Sequence, residues 1–306
     1  MAGKLRFDNK VVVITGAGAG LGRSYALEFG KRGAKVLVND LGCSMSGEGS
    51  SHAPADEVVA LIVKAGGIAV ANYDSAEHGE KIVKAALDHF GRIDVLINNA
   101  GIIRDNSMVK ITEAEWDAVI KFHLKTTFTT TRAAWIQMRS QKYGRIINTT
   151  SGAGLYGNFG QANYSSAKMG IHGLTQTLAK EGEKFGIKVN TIAPIGASRM
   201  TAGIFDKVIL ELLSSEKIVP LVVCLAHESC PENGAVIETT GGWFSKLRWQ
   251  RGKGVFFGEP FTAEDVEAKW AQINAFENCD YPKSGNETLQ MVLRLAEEEH
   301  FPKPKL

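Results

Sequence analysis

The run Lys10-Val11-Val12-Val13-Ile14-Thr15, leading straight into Gly16-Ala17-Gly18-Ala19-Gly20-Leu21-Gly22-Arg23, limits the possible folds of this chain more than any other feature. An unbroken series of β-branched apolar residues predicts a buried strand, and the helical pattern that opens at Ser24 makes the glycines a strand-to-helix turn. The spacing Gly16-x-x-x-Gly20-x-Gly22 lets backbone turn tightly and come close to a ligand. The N–H groups and dipole of a helix start attract a pyrophosphate. Plain turn chemistry is the other reading of a glycine loop, and the surrounding pattern decides between them.

That pattern alternates. Further strands are predicted at Ala34–Val38, Ile68–Ala71, Ile93–Ile97, Gly144–Thr149, Lys188–Ala193 and Ala235–Glu238, with helical stretches between them, as a parallel sheet with crossover helices requires. The expected fold is α/β, a Rossmann-type doubly wound parallel sheet of about seven strands. It occupies residues 1–242, and a helical extension marked by Trp243, Trp249 and Trp270 follows over 243–306. The Gly- and Ser-rich stretch Leu41–Pro54 reads as a long surface loop. In such sheets ligands bind beyond the carboxyl ends of the strands, so residues just past each strand converge on one crevice.

The second strand ends at Asn39-Asp40, about twenty residues past the glycine loop, where an acidic residue meets the adenosine ribose. The Asp40 carboxylate can accept from both ribose hydroxyls and would repel a 2′-phosphate, which favours NAD over NADP. Gly18 and Ala19 bring no basic residue into the loop, and Arg23 reads as a helix-start residue. Asp74, in the turn after the third strand, can reach the adenine or cap the next helix.

Past the fifth strand stand Ser151 and then Tyr164 and Lys168, four apart and on one face if the segment is helical. A phenol of pKa about 10 needs a neighbouring cation to reach its phenolate near neutral pH. Lys168 would supply that charge, and Ser151 a hydroxyl for the same substrate oxygen. By itself Tyr-x-x-x-Lys also arises by chance on an amphipathic helix; beside a nucleotide crevice it reads as a device for moving a proton at an alcohol carbon.

A chain of 306 residues, 44% hydrophobic, can bury a large core. Its net charge of +2 gives no broad basic field, so nucleic acid is not an expected partner. No apolar stretch has the length of a membrane span, and the first residues carry no signal-peptide core, so the expected compartment is intracellular. Cys224, His227 and Cys230 form a drifting stripe without a fourth ligand, which reads as a packed helix; no metal is expected. Lys246, Arg248, Arg251 and Lys253 read either as a solvated basic face or as a contact for the phosphates of a ligand.

The glycine loop, Asn98-Asn99-Ala100-Gly101, and Ser151 with Tyr164 and Lys168 together resemble the short-chain dehydrogenase/reductase family over about Phe7 to Gly242. Within it, Val38-Asn39-Asp40-Leu41-Gly42, Tyr156 to Tyr164 and Gly242 to Trp249 are similar to the (3R)-hydroxyacyl-CoA dehydrogenase units of peroxisomal multifunctional enzymes. The resemblance implies NAD-dependent oxidation of a (3R)-3-hydroxyacyl-CoA to the 3-ketoacyl-CoA, with Tyr164 as general base, Lys168 lowering its pKa and holding the nicotinamide ribose, and Ser151 bonding the reacting oxygen. It further implies a cofactor site built from Thr15, Gly16, Gly20, Leu21, Gly22, Asp40, Asp74, Ser75, Asn99, Tyr164 and Lys168, with Gly196 and Ser198 in a turn over the nicotinamide. A hydroxysteroid or other secondary-alcohol dehydrogenase is the alternative, and a non-catalytic nucleotide-binding scaffold a more distant one. Many members carry an asparagine in the helix before the fifth strand, supporting a relay water; here His123 stands there, as a catalytic candidate or as a structural histidine. The family likeness also implies a homodimer through the helices flanking the fifth strand. The ending Pro304-Lys305-Leu306 resembles a peroxisomal address read by an import receptor, with the cytoplasm as the alternative compartment.

Overall fold

The computed structural model describes residues 5–195 and 206–298. An eight-stranded sheet in the order β3-β2-β1-β4-β5-β6-β7-β8 forms the body of the molecule. Its strands are β1 Val11–Thr15, β2 Lys35–Asn39, β3 Ile68–Asn72, β4 Val95–Asn98, β5 Gly144–Thr149, β6 Ile187–Ile195, β7 Val236–Thr240 and β8 Trp243–Leu247. The first seven pair in parallel. The eighth exceeds the expected count: Gly241 and Gly242, at φ 53° and 92°, make a two-residue turn that only a chain free of Cβ adopts easily, and this returns the chain beside β7.

The helices are α1 Gly20–Lys31, α2 Ala53–Lys64, α3 Gly79–Phe90, α4 Glu113–Ile120, α5 Thr126–Gln141, α6 Gly152–Tyr156, α7 Ala162–Gly182, α8 Lys207–Leu212, α9 Val219–Ala226, α10 Ala263–Ala268, α11 Trp270–Ile273 and α12 Gly285–Glu298. Strand side chains alternate between faces, and both faces are covered. Val12, Ile14 and Val36 pack with Tyr25 and Phe29 of α1, Val58 of α2 and Val222 of α9. Val13, Leu37 and Leu96 pack on the other side with Ile82 of α3 and Met138 of α5.

Register aligns the strand ends: Thr15 lies beside Asn39, Asn39 beside Asn72, and Asn98 beside Asn148. The order reverses at β1, with β2 on one side and β4 on the other. A crevice opens there because the crossovers from β1 and β4 leave to opposite sides.

The chain divides into two compact units, Met1–Lys246 and Leu247–Leu306. In the second, none of the described residues is buried. It is held by surface pairs: Arg251 and Asp280 exchange backbone bonds of 3.0 and 2.9 Å besides their ion pair, and the Arg248 guanidinium lies 3.5 Å over the Tyr281 ring. In the first unit Lys246 pairs with Glu232. Three cations of the basic cluster are thus engaged within the protein.

Candidate active site

A crevice of about 670 Å³ runs along the carboxyl ends of the strands, from Gly16 and Asp40 to Ser151, Tyr164 and Lys168. Gly20, Leu21, Asp74, Ser75, Asn99 and His123 also line it. Thr15 and Gly22, expected to contact a cofactor, do not line it. They build the wall behind. The Thr15 hydroxyl accepts from the N–H groups of Asn99 (3.1 Å) and Ala100 (3.2 Å), while the Asn99 amide donates to the carbonyls of Thr15 and Gly16, each at 3.1 Å. A Cβ on Gly22 would stand 2.2 Å from the Gly16 carbonyl oxygen and 2.7 Å from Asn99 Nδ2. Gly196 and Ser198 lie outside the described residues.

This cradle suits a pyrophosphate. The residue before α1 is Ala19, which offers no side-chain cap, and no acidic residue occupies the first turn. The helix N–H groups and positive dipole end are therefore left for an anion. Asp40 is fixed: its Oδ2 accepts from Gly18 N and its Oδ1 from Gly42 N, both at 2.7 Å. Arg23 is exposed and lines a separate cleft with Ser24 and Leu27, away from the crevice. Ser75, not Asp74, caps the following turn by accepting from Glu77 N, and the Asp74 carboxylate, at the crevice wall, accepts from Asn72 Nδ2 at 2.9 Å.

At the other end, Ser151 caps the short helix α6, its Oγ accepting from Ala153 N at 3.2 Å. Tyr164 and Lys168 leave the first turns of α7 on one face, with the Lys168 ammonium 5.5 Å from the phenol ring centroid. Lys168 is 3% exposed and donates to the Thr149 carbonyl at 2.8 Å. Burial draws its pKa down to about 7. The phenol behaves differently from the sequence expectation. Burial raises the Tyr164 pKa, its hydrogen bond with Ser151 pulls the other way, and the charge of Asp105 adds to the rise. Desolvation outweighs the Ser151 bond, so these protein groups together do not lower it.

Sequence reading did not single out Asn163, although it immediately precedes the tyrosine. It is fully buried; its Oδ1 accepts from Tyr164 N at 2.7 Å and its Nδ2 donates to the Arg104 carbonyl at 2.9 Å. The first turn of α7 is thereby tied to the segment after β4.

His123 sits in a π-helical turn, Lys121–Lys125, between α4 and α5. Such turns are frequent at functional sites. Its Nε2 lies 2.7 Å from the Ile102 carbonyl oxygen and 3.1 Å from Ile102 N. Nε2 is thus held by the Ile102 peptide groups in either tautomer, while Nδ1 is buried without a partner. The ring meets Tyr164 edge-on with centroids 5.1 Å apart. Burial, then the Lys168 charge, lower its pKa to about 3 against the opposing Ile102 bond, so it is neutral at working pH. Among the described residues no group of three His, Cys, Asp or Glu could hold a metal ion, and His227 of the Cys224–Cys230 stripe bonds Ser229 at 2.7 Å.

Residues 10–207 match the short chain dehydrogenase family. The chain is 54% identical over 289 residues to peroxisomal multifunctional enzyme A of Dictyostelium discoideum, covering 94% of this chain and 65% of that one. Full-length peroxisomal multifunctional enzyme type 2 from Drosophila melanogaster superposes with a TM-score of 0.83 at 41% identity, covering 96% of this chain and 50% of that one. A 7α-hydroxysteroid dehydrogenase, solved with NADH and 7-oxo glycochenodeoxycholic acid, superposes with a TM-score of 0.70 at 25% identity over 78% of this chain and 95% of its own. The chain therefore spans only part of the multifunctional relatives. Sheet order, cradle and sequence agree: the chain belongs to the short-chain dehydrogenase family, oxidoreductases that pass hydride between a nicotinamide cofactor and a secondary-alcohol carbon.

Proposed function

We propose that this chain oxidises (3R)-3-hydroxyacyl-CoA to 3-ketoacyl-CoA with NAD, as a dehydrogenase of peroxisomal fatty-acid β-oxidation. The observation that carries the proposal is the placement of Ser151, Tyr164 and Lys168 in the same crevice as Asp40 and the glycine turn. The multifunctional relatives, named as peroxisomal, support the compartment. Tyr156, which lines the crevice and is 65% exposed, and Phe159, three residues on and 91% exposed, offer apolar surface that an acyl chain can cover. On α5, Phe128 and Ile136 are 46% and 75% exposed, which suits the expected homodimer. Pro304-Lys305-Leu306, outside the described residues, would serve the import receptor.

NAD, when bound, takes the hydride. Tyr164 Oη takes the hydroxyl proton, while the Ser151 hydroxyl donates to the same substrate oxygen and holds the alcohol in line. The phenolate that forms favours the ammonium form of Lys168 against the burial that draws its pKa down to about 7, and the Lys168 amine would also hold the nicotinamide ribose. A comparison of 3-hydroxyacyl-CoA with a hydroxysteroid at matched NAD tests the substrate class; faster steroid turnover would move the assignment to the alternative.

At the ribose, the fixed Asp40 carboxylate repels a 2′-phosphate, and Arg23 faces away. Asp40→Ala should lower the NAD-to-NADP ratio of kcat/KM by at least about tenfold, since like charges placed together cost several kcal/mol. An unchanged ratio would remove Asp40 from cofactor choice. His123 acts as a neutral hydrogen-bonding group. His123→Ala should reduce kcat about tenfold or more and, because it empties a buried position against Tyr164, also lower stability by about 2 kcal/mol, so kcat is compared where both chains are folded. Because its folded pKa lies below the free value, the unfolded chain binds the extra proton between about pH 6.5 and 3, so stability falls with acidification through that window. His123→Asn should flatten that fall, as followed by denaturant unfolding at several pH values.

A further inference from the structure

We infer that Asp105 sets the charge selectivity of the substrate end of the crevice: its carboxylate turns away free 3-hydroxy acids and admits 3-hydroxyacyl thioesters, which carry no charge at the same carbon. The inference rests on the hydroxyacyl reading above. The alcohol carbon C3 stands two bonds from C1, so once its hydroxyl meets Tyr164 the first carbon lies close by. In a free acid C1 is a carboxylate, and in a thioester it is a neutral carbonyl. The charges around Tyr164 therefore decide which of the two enters.

Asp105 is held there by the segment that carries the tyrosine. Three successive residues after β4 are tied to the start of α7. The Arg104 carbonyl accepts from Asn163 Nδ2 at 2.9 Å, Asp105 Oδ2 accepts from Gln161 Nε2 at 2.7 Å, and Asn106 N donates to the Gly160 carbonyl at 2.8 Å. Asn106 and Gln161 also pair as a parallel bridge. The carboxylate is thus fixed relative to Tyr164, and both line the crevice. Its charge reaches the phenol, where it adds to the rise in pKa. Lining the crevice costs Asp105 some of its water, which raises its own pKa, and the Gln161 bond opposes that rise.

No described cation is left for an incoming carboxylate. Among the described residues the crevice is lined by Asp40, Asp74, Asp105 and Glu238 against one ammonium, Lys168. Asp40 and Asp74 follow β2 and β3, at the cofactor end. Glu238 of β7 accepts from the Tyr156 hydroxyl at 3.0 Å and adds a second negative group. Lys168 donates to the Thr149 carbonyl, and His123 is neutral. Arg104 donates its Nε–H to the Ser46 carbonyl and does not line the crevice. A free carboxylate brought beside Asp105 is repelled with weak solvent screening, whereas a neutral thioester carbonyl is not. The CoA phosphates lie at the far end of the pantetheine arm, away from this carbon.

The test measures kcat/KM of the whole chain, at saturating NAD and alkaline pH, for (3R)-3-hydroxybutyrate and for its N-acetylcysteamine thioester, which is uncharged throughout. The parent should favour the thioester by about a hundredfold or more. Asp105→Asn keeps the size of the side chain and an acceptor for Gln161. It should cut that preference by at least about tenfold, equivalent to about 1.4 kcal/mol, mainly by raising activity on the free acid. Asp105→Glu, which keeps the charge, should retain most of it. Removal of the charge should also move the rising pH profile of thioester oxidation to lower pH, a shift that lost packing alone would not produce. A preference in Asp105→Asn within about twofold of the parent, an equal loss in Asp105→Glu, or an unmoved pH profile would overturn the inference. Where the free acid is not turned over, its inhibition constant against the thioester takes the place of kcat/KM, and Asp105→Asn must tighten it by the same factor. If Asp105→Asn shows no cooperative unfolding, Asp105→Ser decides by the same ratio. A parent that favours the free acid overturns the inference alone, and one that oxidises neither compound defeats the hydroxyacyl reading itself.

Discussion

Tyr164→Phe should lower kcat for alcohol oxidation by about a thousandfold or more while the NAD dissociation constant stays within about twofold. The substitution removes one oxygen and keeps the ring, so the edge-on contact with His123 at 5.1 Å and the Asn163 bond to the Tyr164 amide both survive. What disappears is the acceptor for the hydroxyl proton. Lys168 cannot replace it, because its ammonium is engaged by the Thr149 carbonyl at 2.8 Å. Burial and the Asp105 charge hold the phenol above its ordinary pKa, so oxidation by the parent enzyme should speed up as pH rises through the alkaline range. Stopped-flow NADH absorbance with parallel NAD titration checks the prediction; a loss smaller than tenfold would mean that another group takes the proton.

Gly22→Ala should abolish measurable NAD binding and destabilise the fold by about 1–3 kcal/mol. The added methyl would stand 2.2 Å from the Gly16 carbonyl oxygen and 2.7 Å from Asn99 Nδ2. Neither can retreat easily. Gly16 belongs to the turn, and Asn99 is already bonded to the carbonyls of Thr15 and Gly16. The turn must open, and its amides then lose their aim at the pyrophosphate. Gly20→Ala is the comparison: no atom would lie within 4 Å of the new Cβ, so only the strain of φ +54° remains, and it should cost less. Equal effects of the two substitutions, in thermal unfolding and NAD titration, would contradict the packing argument.

The strands were legible because buried parallel strands are written as apolar β-branched runs, and Val11–Ile14 and Ile146–Ile147 carry that signal without help from tertiary context. β8 escaped because Gly241-Gly242 reads equally well as an ending and as a hairpin turn, and Trp243 and Phe244 are half exposed. The π-helical turn at Lys121–Lys125 leaves no mark in periodicity, so His123 was visible as a residue while its contact with Ile102 was not. Thr15 and Gly22 were readable as members of the turn. Which wall of the crevice they would form depended on Asn99, brought from β4. The loop 41–51 looked structureless because its order lies in backbone bonds among small residues, which composition does not record.

The raised Tyr164 pKa has a similar origin. Spacing places a lysine beside a tyrosine, but the loss of solvent that raises the phenol is decided by how deeply α7 seats it. Lys168, at 3% exposure, lies deep enough to be drawn down itself.

The most direct measurement of the central claim is NADH formation by this chain with (3R)- and (3S)-3-hydroxyacyl-CoA supplied separately, over several acyl lengths and at saturating NAD. Rapid NADH formation from the (3R) substrates and almost none from the (3S) is expected. Preference for the (3S) form, or turnover of neither beside active oxidation of another secondary alcohol, would contradict it.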